Sequence, residues 1–125
     1  MMTLFGLLIA FQIKHLLADY FLQGRYMLGK FNPGWDFFGP LAAHAGTHGS
    51  MTLAIVCFFD PGFWWLAAVD LVTHFVIDRV KAGPRWFGRF SDKSKPMYWW
   101  ILGSDQALHH CVHYGIIAVL LYHFN

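Results

Sequence analysis

Residues 69–81 read VDLVTHFVIDRVK, an apolar run crossed by Asp70, His74 and Asp78 at a constant step of four, with Lys81 about one turn further. In an α-helix a step of four stacks side chains on one face. The surrounding run, about residues 63–82, is long enough to cross roughly 30 Å of hydrocarbon at about 1.5 Å per residue. Ionisable groups on such a helix cost several kcal/mol unless other groups meet them. The stretch therefore predicts a helix that needs neighbours with polar stripes of their own.

The remaining sequence supplies three. The first apolar run, about 2–22, carries His15 and Asp19, joined by Gln12 and Gln23; the second, about 41–59, carries His44 and His48; the fourth, about 104–124, carries Asp105, His109 and His113. Asn32, Pro33 and Gly34 separate the first two runs, and Asp60, Pro61 and Gly62 break the chain sharply before the third. Ser104 is expected to cap the fourth helix, leaving residues 96–102, with Tyr98, Trp99 and Trp100, as an aromatic belt outside it. The prediction is an all-α, polytopic membrane protein: one domain over 1–125, four transmembrane helices in a bundle, and a polar His/Asp interior.

Composition agrees. Apolar residues make up 57% and charged residues only 13%, about half the usual share for a soluble domain. The mean hydropathy, +0.42, is held down by eight His and seven Asp that fall mostly inside the apolar runs. A net charge of +2 gives no reason to expect nucleic acid as a partner. Cys57 and Cys111 sit singly in apolar runs, with no disulfide framework or zinc knuckle implied. The N-terminal run has no basic region before it and is expected to be a retained helix. Small residues in the second run, among them Ala45, Gly46 and Gly49, suit close helix packing.

Orientation follows from the basic residues. Arg25 and Lys30 lie after the first run, and Arg79, Lys81, Arg85, Arg89, Lys93 and Lys95 lie at the end of the third and in the loop 83–96. Both groups fall on one side of a four-helix chain, and the other side has no Lys or Arg. The positive-inside rule makes the basic side cytoplasmic, with both termini on the other side of the membrane. Counting along helices of alternating direction puts Asp19, His44, Asp78 and Asp105 about 2–8 Å from the cytoplasmic boundary, with His15, His48, His74 and His109 one turn deeper. Two matched layers from four helices predict one shared site.

Neutral imidazole and carboxylate on facing helices are metal ligands. The expected ligand set is His15, Asp19, His44, His74, Asp78, Asp105 and His109. That is more than one tetrahedral ion needs, so two divalent ions, zinc or manganese, fit the count. Asp19, Asp78 and Asp105 are the candidate bases for activating water. Asp70 lies deeper, and Lys14 sits one residue off the His15 stripe.

Three motifs, HLLADYFLQ at His15–Gln23, HFVIDRVK at His74–Lys81 and DQALH at Asp105–His109, resemble those of a family of small bacterial and phage inner-membrane proteins known as a domain of unknown function. A looser likeness links the His/Asp-bearing helices to membrane-bound metal-dependent hydrolases. The family resemblance implies a multi-helix membrane protein and brings no activity with it. The number of candidate ligands and their shared depth lead to the expectation of a metal-dependent hydrolase. Gln23, Lys30, Lys81 and Gln106, at the headgroup level, are then the expected binders of a lipid or phosphate-containing substrate, and the basic loop is suited to anionic lipid headgroups. Two other functions fit the same residues: a proton or divalent-metal transporter, and a small membrane regulator whose polar core only fixes the fold.

Overall fold

The computed structural model describes residues 2–124, all helix and connection, with no strand among them. Helix α1, Met2–Leu16, runs on through a π turn, Leu17–Phe21, in which the Leu22 amide donates to the Leu17 carbonyl at 2.8 Å. A 3₁₀ segment, Arg25–Phe31, leads to α2, Phe38–Phe59. Asp60 then accepts the Gly62 amide at 2.8 Å, and Pro61 opens a single 3₁₀ turn, Pro61–Phe63, before α3, Trp65–Ala82. A basic loop with a 3₁₀ turn at Phe87–Arg89 precedes α4, Pro96–Phe124.

The first three helices lie close to their expected limits. The fourth starts at Pro96, not near Ser104, so Tyr98, Trp99 and Trp100 belong to it and form no separate belt. Proline suits the first helical position, where the amide it lacks has no partner to lose. The Trp99 indole also donates to the Lys93 carbonyl at 2.8 Å, tying the loop to this first turn.

Helix α2 packs on α3, α3 on α4, and α1 closes the ring against α2 and α4. At Gly49 α2 and α3 approach closely, since a Cβ there would lie 3.0 Å from Leu71. One end of the bundle is an ordinary apolar core of Leu7, Phe11, Val56, Leu66, Ile116, Ile117 and Leu120. Towards the basic loops the interior becomes polar, with Lys14, His44, His48, Asp70, His74 and His113 all within 2% of full burial. The outer surface is the reverse: Phe5, Ile9, Ile13, Phe58, Val72, Val76 and Tyr122 are exposed.

Two segments, Thr3–Phe21 and Pro96–Phe124, are long and apolar enough to cross a membrane. The other two helices carry the groups that lower their mean hydropathy: His44, His48 and several small residues in α2, and Asp70, Asp78, Arg79 and Lys81 in α3.

Candidate metal centre

The four-residue stripes meet inside the bundle as three layers. Nearest the basic loops, Asp19, His44, Asp78 and Asp105 face one another. His15, His48, His74 and His109 form the next layer. The third is Lys14, Thr52, Asp70 and His113. The four-residue step continues unbroken from His44 to His48 to Thr52, from Asp78 to His74 to Asp70, and from Asp105 to His109 to His113.

The π turn keeps α1 in line. In an α-helix each residue turns about 100°, so a step of four overshoots by about 40°. The wider π turn rotates less per residue, and Asp19 faces the interior with His15 behind it.

Two groups of side chains can hold a metal ion. Asp19, His44, His48 and His74 make one, and His74, Asp78 and His109 the other; within each, every ligand atom lies within 4.8 Å of the others. The spacing leaves a cation room among them. His44 Nε2 stands 3.3 Å from each of Asp19 Oδ1, Asp78 Oδ2 and His74 Nε2. His48 Nε2 is 2.9 Å from Asp19 Oδ1, and His109 Nε2 is 3.1 Å from Asp78 Oδ1. Ligand atoms around an ion bound at about 2.0–2.1 Å stand about 3.0–3.4 Å apart. A single N–H on His44 can satisfy one of its three neighbours, whereas a cation among them serves all.

His15 and Asp105, expected as ligands, belong to neither group. His15 Nε2 is engaged by Gln106 Oε1 at 2.7 Å and lies 3.1 Å from Asp19 Oδ2. Asp105 accepts from Lys81 at 2.9 Å and from the Gln106 amide at 3.0 Å, leaving Oδ1 without a hydrogen bond. Gln106 thus bridges the two. His48, absent from the expected ligand set, belongs to the first group, and its i, i+4 spacing from His44 is the signal for it.

A cavity of about 150 Å³ opens beside the centre, lined by Asp19, Gln23, Lys30, Asp78, Lys81, Asp105 and Gln106. All four expected substrate-binding residues and all three expected bases therefore share one chamber. Lys30 is buried, donating to Asp78 at 2.9 Å and to Gln23 at 3.0 Å. Lys81 also lines an adjoining apolar groove of about 250 Å³ between α3 and α4, with Ile77, Val80, Trp100, Ile101 and Leu108.

Below the centre, Lys14 Nζ donates to Asp70 Oδ2 at 2.6 Å and lies 3.1 Å from His113 Nε2. The Thr52 hydroxyl donates to the same Asp70 oxygen. His113 continues the stripe of the fourth helix, and Lys14 reaches in from the position beside His15. Thr52, one step of four past His48, is the member that the sequence reading did not mark.

No curated protein and no solved structure matches the chain. Residues 7–125 match the family described as protein of unknown function, DUF3307. The chain belongs to that family.

Proposed function

We propose that this protein is an integral protein of the bacterial inner membrane that binds one or two divalent ions, zinc or manganese, and hydrolyses a phosphate-containing amphiphile at the cytoplasmic face. The observation that carries the reading is the pair of His/Asp groups sharing His74, set against a chamber that also holds Lys30 and Lys81.

The membrane setting is supported by the inverted distribution of side chains, polar within and apolar without. Soluble monomers rarely expose apolar patches larger than a few hundred Å², whereas lipid accepts the faces carrying Phe5, Ile9, Ile13, Val72 and Val76. The basic residues gather at the end where the chamber opens, which suits the cytoplasmic side.

Asp19, His44, His48, His74, Asp78 and His109 would hold the ions, which supply charge neutralisation and a lowered pKa for bound water. Lys30 and Lys81 would balance the phosphate charge. Asp105, whose Oδ1 makes no hydrogen bond and lies 3.3 Å from His109 Nε2, would take the proton released from water and return it to the leaving oxygen. Gln106 fixes the positions of Asp105 and His15. The chamber suits a phosphate-sized group, and the apolar groove beside Lys81 suits the chain attached to it.

Elemental analysis of detergent-purified protein tests the metal. One or two zinc or manganese ions per chain are expected, with most lost in His74→Ala and Asp78→Ala. Metal-free wild type, purified without chelator, would sink the proposal.

A further inference from the structure

Away from the chamber, a second cavity of about 380 Å³ is lined by Pro33, Gly34, Trp35, Arg79, Pro84, Arg85 and Trp86. We infer that it is a binding site for a phosphate-type anion, built on the Arg79 and Arg85 guanidiniums and walled by two indoles.

Arg79 is fixed in place before any ligand arrives. Its guanidinium carbon lies 3.4 Å from the centre of the Phe37 ring. Gly83 packs beside it: a Cβ there would make van der Waals contact with the same carbon at 3.7 Å. One terminal nitrogen, Nη1, is buried with no hydrogen-bond partner. Neither Arg79 nor Arg85 lies within 4.0 Å of a carboxylate among the described residues, although Lys14, Lys30 and Lys81 all do. A buried guanidinium N–H without a partner costs the desolvation of a charged donor, and a second guanidinium at the same mouth adds repulsion. An anion with several acceptor oxygens offsets that repulsion and pairs with the guanidinium N–H groups that line the cavity, and phosphate matches the planar donor fork of arginine.

The walls bear on the source of that phosphate. Two turns containing proline, at Pro33 and Pro84, hold Trp35 and Trp86 at the mouth, where both are exposed, Trp35 to 80%. Indoles beside guanidiniums are the composition that settles at the headgroup level of a bilayer. The phosphodiester of an anionic lipid meets all four side chains, while free phosphate meets only the two cations.

Native mass spectrometry of protein released from nanodiscs tests this. The lipids are phosphatidylglycerol in phosphatidylcholine, or phosphatidylcholine alone with added inorganic phosphate. Wild type is expected to retain one phosphatidylglycerol. Arg79→Gln with Arg85→Gln is expected to weaken retention about tenfold or more, as loss of charge-assisted hydrogen bonds implies. Arg85→Gln alone, at an exposed position, removes one cation without touching the packing of Arg79 on Phe37, and is expected to give a partial loss. Bound metal should not change in any of these variants, which separates this site from the buried centre. Inorganic phosphate retained in an Arg79-dependent way, without phosphatidylglycerol, would support the anion site with a soluble source. Equal retention by wild type and the double variant, or no anion retained by either, overturns the inference.

Discussion

Lys14 shows how far a single side chain depends on its neighbours here. It is 2% exposed and tied to Asp70, with Thr52 and His113 completing the group. Removing one member of a buried ion pair leaves the other charge without compensation, at about 3–5 kcal/mol. Lys14→Met and Asp70→Asn should each destabilise the protein by that order, and the double variant should cost less than either single one. Denaturant unfolding in detergent micelles measures all three, and a double variant as costly as the sum of the singles would count against the pairing. The stripe residues were legible because a step of four is visible in the letters. Lys14 was legible only as a lysine beside the stripe; its partner was not, because a long stem crosses from α1 to α3 and no spacing encodes that reach. The exclusion of His15 from the ligand groups was equally hidden: it turns on which way one ring faces, here towards Gln106.

At the scale of elements, the π turn and the basic loop carry the tightest constraints. The turn Leu17–Phe21 sets the rotation of everything between His15 and Gln23. Inserting one alanine after Leu16 adds a residue that the turn does not absorb, and should swing Asp19 away from His15 and out of the first ligand group by about 100°. Helical circular dichroism is expected to stay unchanged while metal content falls; an insertion variant that keeps its full metal load would show that the turn has no such role. Gly88 is constrained by backbone, since a Cβ there would clash with the Ala82 carbonyl region. Gly88→Ala should therefore lower the melting temperature, because no side chain can move aside to make room. Neither feature was legible. A π turn differs from an α turn by the placement of one residue, and a glycine needed for close approach looks like any other. The start of α4 was ambiguous for a different reason: Pro96 and Ser104 are both good N-terminal residues, and the Trp99 bond to Lys93 favours the earlier one.

For the whole molecule, the decisive contrast is between the polar column and the apolar core that stops it. The column was legible because four helices of alternating direction brought their stripes to common depths. Its end was not, since leucine, isoleucine and valine at the far side look the same whether they face lipid or one another. Lys14, Thr52, Asp70 and His113 carry the column one layer below the candidate metal centre, and this layer is what would favour a proposal of proton or metal transport. Directly beyond it, however, Leu7, Phe11, Val56, Leu66, Ile116, Ile117 and Leu120 close the interior from all four helices. A divalent ion crossing that core would lose its ligands and its water together, at a cost of many kcal/mol. On the proposed reading, a dead-end site is therefore expected to exchange metal only from the end of the bundle that carries the basic loops. Proteoliposomes holding a zinc-sensitive or pH-sensitive dye should show no flux above protein-free vesicles under an imposed gradient, while the same preparation still binds metal. Saturable flux lost in His74→Ala would mean that the apolar core opens, and the hydrolase reading would give way to transport.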